Sequence, residues 1–142
     1  MKIAIGADHA GYELKEKIKQ RLAQEGNDVH DKGTNSLESV DYPDFARLVG
    51  EEVARKDADL GVLVCGSGIG MSIAANKVPG VRAAHVTNMY EAQMAREHNN
   101  ANVVTVGARV QVEGDGVGGL LRCVLQVRSD GNDGPRAHVH RD

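Results

Sequence analysis

Apolar and polar positions along this chain change period several times before residue 107, and each change marks an element. Ile3-Ala4-Ile5 reads as a first short strand. Leu14, Ile18 and Leu22 recur every four residues within a charged segment, the spacing of one buried helix face, and Gly26 can terminate that helix. Val29 centres a weak second strand. Asp41-Tyr42-Pro43 opens a helix with proline in its first turn, and Phe45, Leu48, Val49 and Val53 are its expected buried stripe. Leu60 to Val64 is apolar at successive positions, as a central parallel strand covered on both faces should be. Ser72 to Lys77 reads as a short helix, and Val81 to Val86 as a fourth strand. Asn88, with Glu91 three residues on, has the spacing of a capping box for a helix that runs to His98. Asn102 to Val106 gives the fifth strand.

This alternation predicts a Rossmann-like α/β fold, a three-layer α/β/α sandwich around a five-stranded parallel sheet. Ligands of such sheets bind at the carboxyl ends of the strands. Asp8-His9, Cys65-Gly66-Ser67 and Arg109 all follow strand ends, so they are expected on one edge. From Gln111 onward the period breaks down, and Gly114, Gly116, Gly118, Gly119, Gly131 and Gly134 crowd a short stretch. Leu120, Leu121, Val124 and Leu125 can line a brief helix, although Gly118-Gly119 weakens it. Pro135 to Arg141 is basic and expected to be extended. The chain thus divides into an α/β core, residues 1–110, and a glycine-rich C-terminal tail of the same domain, residues 111–142.

Composition narrows the class. A chain of 142 residues with 41% apolar content supports one domain with a genuine core. A formal charge of −3 and a pI near 6.1 give no reason to expect nucleic acid or an anionic membrane as partner. No apolar stretch approaches the roughly 20 residues that span a bilayer. The first acid, Asp8, comes too early for a secretory signal, and Cys65 and Cys123 lie far apart without zinc-type spacing. The expectation is a reduced, cytoplasmic protein without a metal site. With one Phe, three Tyr and no Trp, the core must be built from Val, Leu, Ile and Ala, and a subunit interface often completes such a core.

The densest chemistry lies in Cys65-Gly66-Ser67-Gly68-Ile69-Gly70-Met71, between the strongest strand and a helix. Backbone N–H groups and the helix dipole at such a junction stabilise anions, a thiolate among them. The spacing G-x-G-x-G is not the dinucleotide fingerprint, and Gly70-Met71-Ser72 lacks the lysine of a P-loop. Met71 stands where a cysteine phosphatase would need arginine. A buried structural cysteine is the plain reading of Cys65 alone, and the three following glycines favour an anion cradle with a thiol at its lip. Asp8-His9 and His98-Asn99-Asn100 also have plain readings, as helix-capping residues and surface imidazoles.

Together these segments resemble the type B ribose-5-phosphate isomerases, the family that also includes the galactose-6-phosphate isomerase subunits. The resemblance rests on Asp8-His9-Ala10-Gly11, Asp31-Lys32-Gly33-Thr34, Asp41-Tyr42-Pro43, Cys65-Gly66-Ser67-Gly68-Ile69-Gly70 and Ala74-Ala75-Asn76-Lys77. It continues through Arg82-Ala83, His98-Asn99 with Ala101-Asn102-Val103, and Gly107-Ala108-Arg109-Val110, so that it spans residues 1–110 in order.

What the resemblance implies is a cofactor-independent aldose–ketose isomerase of the pentose phosphate pathway. It would interconvert ribose 5-phosphate and ribulose 5-phosphate through a cis-enediolate, with neither metal nor organic cofactor. By position Cys65 would be the base. Ser67 and the backbone of Gly66, Gly68 and Gly70 would hold the enediolate oxygen, and His98 would help open the furanose ring. Asp8, Tyr42 and Asn99 match positions near the sugar hydroxyls; His9, Arg109 and, loosely, Arg136 match positions that bind phosphate. The family's site lies between two subunits, which implies a homodimer or a dimer of dimers. The chain departs from the family after Val110: a poor, glycine-rich helix replaces an amphipathic one, and Arg136 and Arg141 stand five apart where the family has two arginines four apart. That end reads as diverged or frameshifted. Alternatives are an isomerase of a six-carbon sugar phosphate such as allose or galactose 6-phosphate, a non-catalytic phosphosugar-binding protein, and a structural α/β subunit.

Overall fold

A computed structural model describes residues 1–110 and 116–127. Five strands, β1 (Lys2–Ala7), β2 (Asp28–Asp31), β3 (Leu60–Cys65), β4 (Ala83–His85) and β5 (Val103–Gly107), form one parallel sheet in the order β2-β1-β3-β5-β4. The helices are α1 (Tyr12–Gln24), α2 (Tyr42–Ala54), α3 (Ile69–Ala75), α4 (Met89–Glu97) and α5 (Gly116–Gln126). The order runs outward in both directions from the β1–β3 pair, so that pair is the topological switch point.

Alternate strand residues feed two cores. Ile3, Ile5, Val62, Val64, Val104 and Val106 face α1, α4 and α5, where they meet Ile18, Leu22, Ala92, Ala95, Leu120, Leu121 and Val124. Ala4, Leu63, Cys65 and Val103 face α2 and α3, against Ala46, Val49, Val53, Met71 and Ala75. This is the expected three-layer sandwich. Gly26 ends α1 with φ +92°, and Asn100, after α4, is left-handed at φ 47°. Asn88 Oδ1 accepts from the Glu91 N–H at 2.9 Å, the expected half of a capping box. The return bond goes elsewhere, from the Thr87 N–H to Glu91 Oε1.

Two expectations are corrected. Leu48 lies outside the buried stripe of α2, at 36% exposure, because Ala46, Val49 and Val53 already cover the sheet. Helix α3 starts at Ile69, three residues before Ser72, because left-handed Gly68 turns the chain directly from the loop into the helix. The segment after Val110 does contain the brief helix, α5, which buries Leu120, Leu121 and Val124 with Gly118-Gly119 inside it. The extended tail predicted from Pro135 lies outside the described residues, as does Arg136.

Polar contacts hold the loops at the strand ends. Lys15 of α1 is fully buried and donates to both Asp31 oxygens at 2.8 and 2.7 Å, and Lys19 donates to Asp31 Oδ2 at 2.8 Å. The Gly33 N–H donates to Asp31 Oδ1, while Gly33 O and the Thr34 N–H pair with the backbone of Ala7. The Asp31–Thr34 turn is therefore pinned beside the carboxyl end of β1. At the opposite edge, Asn76 brackets Ala83 through both its N–H and its C=O, and Asn102 Oδ1 accepts from the Arg82 N–H at 2.7 Å.

Candidate active site

Strand β3 ends at Cys65, which is 5% exposed. Its Sγ accepts from the Gly68 N–H at 3.1 Å, a contact that closes the loop over the sulfur. Gly68 makes this possible with φ +85°, a conformation that a side chain would strain. Ser67 Oγ, one residue before the Gly68 N-cap, accepts from the Ile69 N–H at 3.1 Å and so satisfies the first free donor of α3. Residues beyond β5 brace the loop from the side: the Ala108 N–H donates to Cys65 O at 2.8 Å and the Arg109 N–H to Gly66 O at 3.0 Å.

The three loop glycines each leave room for one neighbouring side chain. A methyl group at Gly66 would lie 3.2 Å from Arg109 Nη1, one at Gly68 2.7 Å from the His85 ring, and one at Gly70 2.8 Å from the Tyr42 ring. Arg109 is expected here from its place after β5, and Tyr42 from the family resemblance alone. His85 was not, although its position as the last residue of β4 puts it on the carboxyl edge, a signal that the strand-end rule could have used. Its Nδ1 lies 3.4 Å from Thr105 Oγ1.

Asp8 and His9 follow β1 across the switch point. The Asp8 N–H donates to Val64 O at 3.2 Å, and Asp8 Oδ1 accepts from the Gly11 N–H at 3.0 Å. His9 Nδ1 accepts from the Val40 N–H at 3.2 Å. Asp8, Cys65 to Gly70, Tyr42, His85 and Arg109 thus gather at the carboxyl edge.

His98 and Asn99 do not join them within one chain. Helix α4 leaves the carboxyl end of β4 and runs back, so its C-terminus lies at the amino edge. There Arg82, which precedes β4, donates from Nε to Asn99 O at 3.0 Å. The His98 side chain is half exposed, with Glu97 Oε1 at 3.7 Å from its Nε2. Among the described residues no cluster of His, Cys, Asp and Glu has the form of a metal site, and no helix is long and apolar enough to cross a membrane.

Fold and loop geometry together define a doubly wound α/β protein with a thiol held under a glycine loop at the carboxyl edge of its switch point. A family model described as Ribose/Galactose Isomerase matches residues 3–116. Ribose-5-phosphate isomerase B of Escherichia coli K12 is 49% identical over 109 residues, covering 77% of this chain and 73% of that protein. The galactose-6-phosphate isomerase subunit LacB of Clostridium acetobutylicum is 46% identical over 127 residues, 89% of this chain and 70% of the relative. Among solved structures, ribose-5-phosphate isomerase B of Mycoplasma genitalium with bound ribulose-5-phosphate superposes with a TM-score of 0.88 at 39% identity, covering 96% of this chain and 90% of that one. The chain belongs to the ribose/galactose isomerase family, and is an enzyme of the sugar-phosphate isomerase class.

Proposed function

We propose that this enzyme interconverts ribose 5-phosphate and ribulose 5-phosphate through a cis-enediolate, with Cys65 as the base. The observation that carries the reading is the Gly68 N–H on Cys65 Sγ, a donor aimed at sulfur at the switch point of the sheet. Once the furanose has opened, the Cys65 thiolate takes the proton from C2. The electron pair of the broken C–H bond forms the C1–C2 double bond and the aldehyde π pair moves onto O1. Returning the sulfur-bound proton to C1, with loss of the O2 proton and protonation of O1, completes the ketose. The Gly66–Gly70 backbone and Ser67 stabilise the oxyanion, the kind of preorganised donor set that is typically worth about 10²–10³ in rate per donor.

Asp8 and Tyr42 contact the sugar hydroxyls, and His9 and Arg109 the phosphate, with Arg136 as a further phosphate ligand. His98 assists ring opening as a general acid–base, and Asn99 holds the sugar beside it. Their place at the opposite edge of the chain fits a site shared between two subunits: His98 and Asn99 of one copy would complete the cradle of another. Exposed apolar side chains support a homodimer, among them Ile69 and Ile73, 54% and 58% exposed on α3, and Tyr90, 72% exposed on α4. A dimer of dimers would use the same contact. The domain assignment, core to 110 and tail from 111 in one unit, is part of the same reading.

Direct NMR observation of ribose 5-phosphate in the presence of a chelator tests it. Turnover by the wild type and none by Cys65→Ala is the expected result; undiminished turnover by Cys65→Ala sinks the thiol base. The LacB relative makes a six-carbon sugar phosphate the second reading. Faster turnover of allose or galactose 6-phosphate under the same conditions would move the assignment there. Binding of ribose 5-phosphate without conversion would leave a phosphosugar-binding protein.

A further inference from the structure

Residues 35–41 have no regular structure and reach the site through one backbone donor, the Val40 N–H on His9 Nδ1. A backbone amide can only donate, so Nδ1 is an unprotonated acceptor and the single proton of the neutral ring sits on Nε2. An imidazole held this way can donate from Nε2, and has no lone pair there to take a proton from a hydroxyl or a carbon. An N–H of fixed direction suits a phosphate oxygen, which only accepts. The same amide lies two residues before Tyr42, whose ring covers Gly70, and next to Asp41 at the start of α2. One N–H therefore ties His9, two residues after β1, to the segment that leads into Tyr42 over Gly70.

We propose that the Val40 amide is a positioning group that fixes His9 as an Nε2–H donor to the phosphate of the substrate, leaving proton transfer to other residues. The identity of that substrate rests on the function proposed above; the tautomer does not. With the ring unlocked, the donor would be shared between two nitrogens and two orientations, so weaker substrate binding at unchanged chemistry is the expected consequence.

The experiment combines NMR of the ¹⁵N-labelled wild type with kinetics of Val40→Pro, which deletes the donor. In the wild type at mildly alkaline pH, His9 should show a protonated Nε2, a bare Nδ1 and a through-bond N–H···N coupling to the Val40 amide. A proton on Nδ1, or no such coupling, overturns the proposal. Val40→Pro should raise KM for ribose 5-phosphate about tenfold, the scale of one charge-assisted hydrogen bond, with kcat within about twofold. An unchanged KM, with or without a fall in kcat, overturns it. If Val40→Pro does not fold, the wild-type spectrum decides alone. If the wild type does not turn over ribose 5-phosphate, the functional reading fails while the spectrum still decides how His9 is held.

Discussion

The Gly68 N–H points at Cys65 Sγ from 3.1 Å, and the same residue stands with φ +85° where an added methyl group would lie 2.7 Å from the His85 ring. Donor, backbone conformation and close packing coincide in one peptide unit. Gly68→Ala would strain the backbone and push on His85 and on the Val106 backbone, displacing the donor from the sulfur. Turnover should fall about 10²-fold, as for loss of one oxyanion donor, while the circular dichroism spectrum stays native. Retention of full turnover would show that the loop does not act through this amide.

Cys65 and His98 lie at opposite edges of one chain, and a shared site makes a sharp prediction about mixtures. On the proposed shared site, Cys65→Ala and His98→Asn should each be nearly inactive when purified alone. After subunit exchange, half of the molecules are heterodimers, each with one intact site of two, so activity should return to about a quarter of wild type. A mixture as inactive as its parents would place each site within a single chain.

Lys15 is fully buried, and its partner Asp31 is held on several sides. Burial works to raise the Asp31 pKa, and the Lys15 and Lys19 ammonium groups with the Gly33 N–H outweigh it, leaving the carboxyl lowered. A lowered folded pKa contributes stability that is present above the unfolded value of about 3.9 and is lost as pH falls through the folded one. Acid titration of the thermal midpoint should therefore flatten in Asp31→Asn below about pH 4. Lys15→Met should cost near the lower end of the roughly 3–5 kcal/mol typical of breaking a buried pair, because Lys19 and Gly33 remain. Denaturant unfolding measures it.

His30 joins β2 to α2 through two carboxylates, Nε2 to Asp28 Oδ2 and Nδ1 to Glu52 Oε1, both at 3.1 Å. Asp28 first and Glu52 second raise its pKa against the effect of burial. The sign is opposite to that of Asp31: this stabilisation is complete below the ordinary imidazole value of about 6.5 and is lost as pH rises through the raised one. The thermal midpoints of wild type and His30→Gln should differ most near pH 5–6 and converge on the alkaline side. A constant gap from pH 5 to 9 would rule out protonation as the cause.

Gly118 lies inside α5, where a methyl group would first meet the guanidinium of Arg21, a movable side chain whose Nε lies 3.3 Å from Glu25 Oε1. Gly118→Ala should stabilise the protein by roughly 0.5–1 kcal/mol through helix propensity. A higher urea midpoint at unchanged slope is the expected reading; a lower midpoint would mean that Arg21 cannot give way.

Most of the fold was legible because the period of apolar residues is set by burial, and the strands that carry it are apolar on both faces. Leu48 misled because an apolar residue can sit beside a stripe without belonging to it, and α3 because glycines hide a helix start. The Cys65 loop announced itself through residue types, and Asp8 and Arg109 through their places after strands. His98 and Asn99 share the motif but not the edge: linear order does not reveal that α4 returns them to the amino side. Val40 acts through an amide that every residue but proline carries, so no choice of side chain could have advertised it.

Cys65 shares its core with α2 and α3, while α5 packs on the other face of the sheet. The sheet is thus a partition wall through the molecule. Leu120, Leu121 and Val124 fill the compartment on one face, and a single layer of sheet stands between it and the sulfur. A substitution in α5 therefore acts first on the compartment of α1 and α4, and reaches the thiol and its loop only through the sheet. The glycine-bearing helix and the glycine loop over the sulfur are thus insulated from each other by one layer of hydrogen-bonded backbone.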